Sequence, residues 1–273
     1  MIPRAFELHS PSTVSEAISL LKDNKDSKVL AGGQSLVPLM KLRLVSPANL
    51  VDLGKIPGLS YIKKEKNHLL IGSMTTHNDV ATSSLVNEKC KTLSETASHI
   101  GDQQVRNRGT IGGTICHADP AGDMPAAMLA LDAEFMVAGK RNRRVIKAKD
   151  FFEDMFTTSL REYEILTEVR VPILPPRSGG SYLKLTRGAS DLATVGVAAV
   201  ITLDGAGACK DARLGLAGVG STPIRATRAE DVLKGRPLTD DLAAKAGEKA
   251  SEMSNPSSDI RGSVEYKREM VKV

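Results

Sequence analysis

Apolar positions along the first part of the chain follow two rhythms. Val14, Ala17, Ile18 and Leu21 repeat at helical spacing behind Thr13-Val-Ser-Glu16, a capping-box signature, which predicts a helix to about Lys22. Residues 28–31 and 50–53 read as short buried strands, and 36–44, with Pro38 near its start, as a short helix or irregular packed segment. From Gly58 the pattern turns to hairpins, 59–63 and 68–73, joined by the charged Lys64-Glu-Lys-Asn67. Helices are expected at 78–85, 87–100 and 124–131. An antiparallel pair follows at 134–138 and 143–148, then Phe151, Phe152 and Phe156 as a core cluster, and a strand at 166–171 stopped by Pro172.

Residues 172–180, PILPPRSGG, hold three prolines and two glycines and read as the linker to a second part. There, 181–186, 193–203 and 208–217 are strand-like, and 225–234 and 240–253 helix-like, so an α+β fold in two domains is expected.

The chain of 273 residues is long enough for a large core. It has no apolar run of membrane-spanning length, and its first residues, MIPRAFELHSPSTVSEA, lack a signal-peptide core, which predicts a cytoplasmic protein. Cys90, Cys116 and Cys209 are too few for a disulfide framework or an all-cysteine iron–sulfur site. The net charge of +5 is uneven, with Lys140, Arg141, Arg143, Arg144, Lys147 and Lys149 crowded together. That run reads as a solvated hairpin, or alternatively as a face for an acidic partner or nucleic acid. Aromatic residues make up only 3%, with no Trp, which argues against base-stacking platforms.

Two glycine pairs carry the candidate chemistry: AGGQS at 31–35 and TIGGT at 110–114. Paired glycines let backbone amides approach a ligand without an intervening Cβ, and successive amides can form an anion-binding concavity. Each pair alone also reads as a simple turn. Together, with Ser35, Thr110 and Thr114 beside them, they point to a ligand with more than one phosphate, gripped from two sides. Neither pair fits the dinucleotide or Walker fingerprint. Asp123, ahead of Met124-Pro125, reads as an N-cap, as a carboxylate for ribose hydroxyls, or as both. Cys116, His117, Asp119 and Asp123 do not match the usual metal-ligand spacings, so no metal is expected. No catalytic acid, base or nucleophile is evident, which suits a protein whose redox cofactor carries the chemistry.

AGGQS, RNRGTIGGT at 106–114, the HADPAGDMPA run and KLTRGASDLATVGVA at 184–198 occur in one order that resembles the FAD-binding medium subunits of molybdenum hydroxylases. These include aerobic carbon monoxide dehydrogenase, quinoline oxidoreductase and aldehyde oxidoreductases, with the flavin domain of xanthine dehydrogenase more distant. The resemblance spans essentially the whole chain. It implies a two-subdomain FAD-binding domain of the vanillyl-alcohol-oxidase (PCMH) type at 1–175, with subdomains of about 1–56 and 57–175, and a smaller α+β domain at 179–273. It implies that Ala31, Gly32, Gly33, Gln34, Ser35 and Leu36, with Thr110, Ile111, Gly112, Gly113 and Thr114, hold the FAD pyrophosphate. It further implies Asp123 near the ribityl and sugar hydroxyls, Ile100 and Leu166 lining the flavin site, Lys184 as a nearby basic residue, and Asp191 and Leu192 approaching the isoalloxazine ring.

Partners implied by the resemblance are a molybdopterin-binding large subunit and a small [2Fe-2S] subunit, arranged as a dimer of heterotrimers. Molybdopterin and the clusters are expected only in those partners. The implied function is electron transfer from the iron–sulfur subunit through FAD to an external acceptor. Rival readings are a stand-alone flavin oxidase and a flavin-free nucleic-acid-binding module. Three departures stand out: Thr114 where the family often has Asn, Gln34 where carbon monoxide dehydrogenases carry His, and Leu192 in place of a Tyr typical of that branch. The chain also stops soon after Met270, where relatives usually continue.

Overall fold

A computed structural model describes residues 2–273. Strand β1 (Glu7–His9), helix α1 (Val14–Asp23), β2 (Ser27–Leu30), α2 (Leu36–Lys41) and β3 (Asn49–Asp52) form a small parallel sheet in the order β1-β3-β2. The Thr13 hydroxyl caps α1 at the Glu16 amide, 3.1 Å away, but the Glu16 carboxylate turns to the Ser12 amide at 2.8 Å instead of closing the expected box. Ala17 and Ile18 pack with Val51, Leu53 and Ile56.

Next come β4 (Ile62–Glu65), β5 (His68–Gly72), α3 (His77–Thr82), α4 (Ser84–Lys89), α5 (Lys91–Ser98), α6 (Gln103–Arg106), α7 (Ile111–His117) and α8 (Asp123–Ala130). The single helix expected at 87–100 is broken at Cys90, whose backbone (φ −156°, ψ 70°) leaves the helical region. Both pieces still face inward through Val86, Cys90, Leu93 and Ala97. Strands β6 (Glu134–Ala138), β7 (Arg143–Lys147), β8 (Phe152–Asp154), β9 (Thr157–Thr158) and β10 (Ile165–Pro172) follow, and a five-stranded sheet runs β4-β5-β10-β6-β7. Phe135, Phe151 and Phe152 meet edge to face. Phe156 does not join them: it is 53% exposed at the β8–β9 tip, where a φ of +55° turns it outward against His117.

Strands β11 (Ser178–Leu185), β12 (Val195–Leu203), β13 (Cys209–Ala217) and β14 (Ile224–Arg225) form an antiparallel sheet, followed by α9 (Thr227–Leu233), α10 (Asp240–Met253) and α11 (Val264–Lys272). The expected linker is shorter than the sequence implies, because Pro172 ends β10 and Gly179 and Gly180 lie inside β11. Side-chain alternation gives this sheet two apolar faces. Tyr182, Ala198 and Val200 join the core around α8, and Val197 and Ile201 pack toward the carboxyl-terminal helices.

Helix α8 is buried along its whole length. An all-round apolar helix has no solvent face and must be covered on every side. β13 closes so tightly on it that a Cβ at Gly215 would lie 2.0 Å from the Ala126 carbonyl oxygen. Among the described residues no helix is long and apolar enough to cross a membrane.

Candidate cofactor site

The chain leaves β2 at Leu30 and turns through Gly32 (φ +80°) and Gly33 (φ +77°) into α2. Both glycines occupy the left-handed region, which L side chains seldom adopt. The Val37 amide returns to the Gly33 carbonyl at 3.0 Å. Among the described residues the amides of Gly32, Gly33, Gln34 and Ser35 donate to no protein acceptor. Gln34 and Ser35 are exposed, and the Ser35 side chain makes no capping bond to α2. A row of unpartnered amides in a tight turn is a ready set of donors for phosphate oxygens.

The second pair behaves differently from expectation. TIGGT is no open loop but the cap and first turn of α7, and the amides of Ile111, Gly112, Gly113 and Thr114 are engaged inside the protein. Ile111 donates to the Thr75 carbonyl at 3.0 Å, Gly112 to Ser73 at 2.8 Å, Gly113 to the Thr110 hydroxyl at 3.1 Å and Thr114 to the Thr110 carbonyl at 3.1 Å. Here the glycines serve close packing. A Cβ on Gly112 would meet Ser73 at 2.6 Å, and one on Gly113 would meet the Ala31 carbonyl at 2.7 Å. The two pairs therefore adjoin: Thr110 Oγ1 donates to the Ala31 carbonyl at 3.3 Å, and a Cβ on Gly32 would lie 2.2 Å from the Arg108 oxygen.

Asp123 is not the N-cap of α8; Gly122 is, and Asp123 is the first helical residue. Its carboxylate, 3% exposed, points to β11, accepting from the Tyr182 hydroxyl at 2.6 Å and from Lys184 Nζ at 2.9 Å. Lys184 also donates to the His99 carbonyl at 3.0 Å, and the His99 ring sits edge-on to Tyr182. Burial pushes the Asp123 carboxyl above the usual carboxylate range, while the Lys184 charge and the two hydrogen bonds pull it back. Burial beside that carboxylate also drives the Tyr182 hydroxyl well up, so it stays a donor.

The remaining expected residues lie on several elements. Ile100 is half-buried, and its carbonyl accepts from Arg106 at 3.0 Å. Leu166 pairs with Val137 in the sheet and lies in the main core with Ile111. Asp191 accepts from Arg261 at 3.1 Å, Leu192 is exposed, and the next amide, Ala193, donates to Ala121 just ahead of α8.

The charged run at 140–149 divides, because Arg144 is locked to Glu164 at 2.8 Å while Lys140, Arg141, Arg143, Lys147 and Lys149 stay exposed. Sequence reading missed Tyr182 and His77. The first had a signal in strand alternation, which puts residues 182 and 184 on one face. The second had none, because its partner Thr114 lies 37 residues away.

Residues 4–174 match the family described as the FAD binding domain in molybdopterin dehydrogenase, and residues 180–273 match the CO dehydrogenase flavoprotein C-terminal domain. The chain is 40% identical to the carbon monoxide dehydrogenase medium chain of Hydrogenophaga pseudoflava, covering 99% of this chain and 94% of that one. It is 39% identical to the glyceraldehyde dehydrogenase medium chain of Sulfolobus acidocaldarius, covering 100% and 96%. The structure of the Hydrogenophaga pseudoflava carbon monoxide dehydrogenase lacking the Mo-pyranopterin moiety superposes with a TM-score of 0.97 at 41% identity, over 100% of this chain and 95% of that one. The chain belongs to the FAD-binding medium-subunit family of the molybdenum hydroxylases.

Proposed function

We propose that this chain is the FAD-carrying electron-transfer subunit of a molybdenum hydroxylase, and that its FAD lies across the two adjoining glycine pairs. The observation that carries this reading is the row of unpartnered amides at 32–35 in a left-handed glycine turn, closed on one side by α7. A Cβ on Gly32 would strike the Arg108 carbonyl that closes the turn, and the donors suit the four non-bridging oxygens of a doubly charged pyrophosphate. Bound FAD would supply an electron store between a partner iron–sulfur subunit and an external acceptor.

The chain's own part is holding and orienting. Gly32–Ser35 amides fix the pyrophosphate, and the Thr114 hydroxyl adds a side-chain contact. Asp123, kept in place by Tyr182 and Lys184, faces the sugar and ribityl hydroxyls. Ile100 and Leu166 exclude water from the flavin, and Asp191 and Leu192 flank its ring. In this reading residues 1–175 and 179–273 are the two domains, the protein works in the cytoplasm, and its partners are a molybdopterin-binding large subunit and a small [2Fe-2S] subunit in a dimer of heterotrimers.

The decisive experiment is purification from the native source. Expected is a yellow protein that releases FAD on denaturation and copurifies with chains bearing molybdopterin and iron–sulfur clusters. Colourless protein that cannot be reconstituted with FAD would overturn the reading. A yellow protein that oxidises an alcohol or aldehyde without partners would replace it with the stand-alone oxidase.

A further inference from the structure

His77 opens α3, and the protein closes around it. Its amide donates to the Gly109 carbonyl at 2.9 Å, its side chain is 1% exposed, and a Cβ on Gly109 would come within 3.1 Å of the ring. Nε2 lies 2.8 Å from Thr114 Oγ1, and Nδ1 is buried with no hydrogen-bond partner among the described residues. Burial, with the Arg106 charge nearby, pulls the imidazole down to about 4, so the ring is neutral and carries one N–H.

The position of that proton follows from the partners. On Nδ1 it would be a buried N–H with no acceptor, a rarer and costlier defect than an unused lone pair. The proton therefore sits on Nε2, which donates to the Thr114 oxygen. Thr114 then keeps its own hydroxyl hydrogen and has no acceptor for it among the described residues. Thr82 and Thr96, by contrast, donate to the carbonyls of Asn78 and Thr92, at 2.8 and 2.7 Å. Thr114 makes no such bond to Thr110 within its own helix.

We propose that His77 is a positioning residue of the cofactor site: by donating to the oxygen of Thr114, it aims the Thr114 hydroxyl proton outward at an oxygen of bound FAD. The pair thus does with an imidazole and a hydroxyl what a single amide side chain could do at position 114. The inference rests on the flavoprotein reading above.

The test is FAD titration of the full apoprotein, followed by fluorescence, on Thr114→Val, His77→Leu, the double variant and His77→Gln. Thr114→Val is expected to weaken FAD binding roughly tenfold to a hundredfold, the range for a lost hydrogen bond to a charged acceptor. His77→Leu should weaken it nearly as much, and the double variant no more than Thr114→Val alone. His77→Gln, whose amide can still donate to Thr114, should stay within about threefold of wild type. Single effects that multiply in the double variant overturn the proposal, as does a glutamine as weak as leucine. Thr114→Val with unchanged affinity overturns it even if His77→Leu does not fold. A wild-type chain that takes up no FAD overturns the flavoprotein reading and this inference together; the other failures overturn only the role of His77.

Discussion

Gly32-Gly33 and Gly112-Gly113 are the same dipeptide on two sides of one contact, yet each uses the lack of a Cβ differently. The first pair lies in the left-handed region and leaves a run of amides without acceptors among the described residues. The second has ordinary helical backbone and amides that are all engaged, and its bare Cα atoms let α7 press on Ser73 and Ala31. One pair is thus conformational and presents donors; the other is steric and builds the wall behind them. A Gly-Gly motif read as a phosphate loop needs its amides traced before that role is assigned.

Substitutions should separate the two uses. Gly32→Ala combines a left-handed backbone with a 2.2 Å approach to the Arg108 oxygen, so it should have the largest effect. A loss of about 2–5 kcal/mol in denaturant unfolding, together with loss of FAD, is expected. A loss below about 1 kcal/mol would mean that the loop relaxes freely.

Acid should act next, on the second pair through His77. Its imidazole is held near 4 when folded and returns to the ordinary value of 6.5 when unfolded, so the unfolded chain binds the extra proton between those values. Stability is therefore complete above about pH 6.5 and falls as pH drops toward about 4, by on the order of 3 kcal/mol. His77→Gln should flatten this limb in unfolding curves taken across that range. An unchanged limb would place the acid sensitivity elsewhere.

Gly113→Ala keeps an allowed backbone and meets the Ala31 carbonyl and the Thr110 hydroxyl most closely, at 2.7 and 2.9 Å. It should cost about 1–3 kcal/mol and weaken FAD retention by displacing the first loop, as read from flavin content after gel filtration. Gly113→Val should abolish retention, and its fold should suffer with it, because the clash is with backbone. Ser35→Ala should do least, since its hydroxyl makes no cap and the proposed site draws on its amide. Stability within about 0.5 kcal/mol and FAD affinity within about threefold are expected. A larger loss of affinity would show that the side chain itself holds the cofactor.

Much of the fold was legible wherever a periodic apolar face had a local start signal. Helix α1 behind Thr13, the β6–β7 hairpin and the long strands β12 and β13 all lie close to their expected positions. The helical state of Ile111–His117 was not legible, because glycine disfavours helix by about 1 kcal/mol each and only tertiary contacts to Ser73 and Ala31 reverse that preference. Strand β1 is three residues long and is defined by its pairing with β3, which no local pattern announces.

At the site, the residue types were readable but their partners were not. Asp123 looked like a cap because its immediate neighbours suit one. What decides its role are Tyr182 and Lys184, 59 and 61 residues away. Thr114 likewise takes its meaning from His77, 37 residues away in the chain.

The enclosure of α8 sets a limit on how this chain can be recombined. One side of the helix meets α5 and α7, and the other meets the carboxyl-terminal sheet, with Tyr182 bonded to Asp123 and Gly215 pressed on Ala126. A crossover at 173–177 is tempting to a protein engineer, since only a short connection is cut. It would nevertheless join an α8 from one parent to a β11–β13 surface from another. Chimaeras between medium subunits should therefore inherit α8, Tyr182, Lys184 and Gly215 as one matched set, exchanged together or left alone.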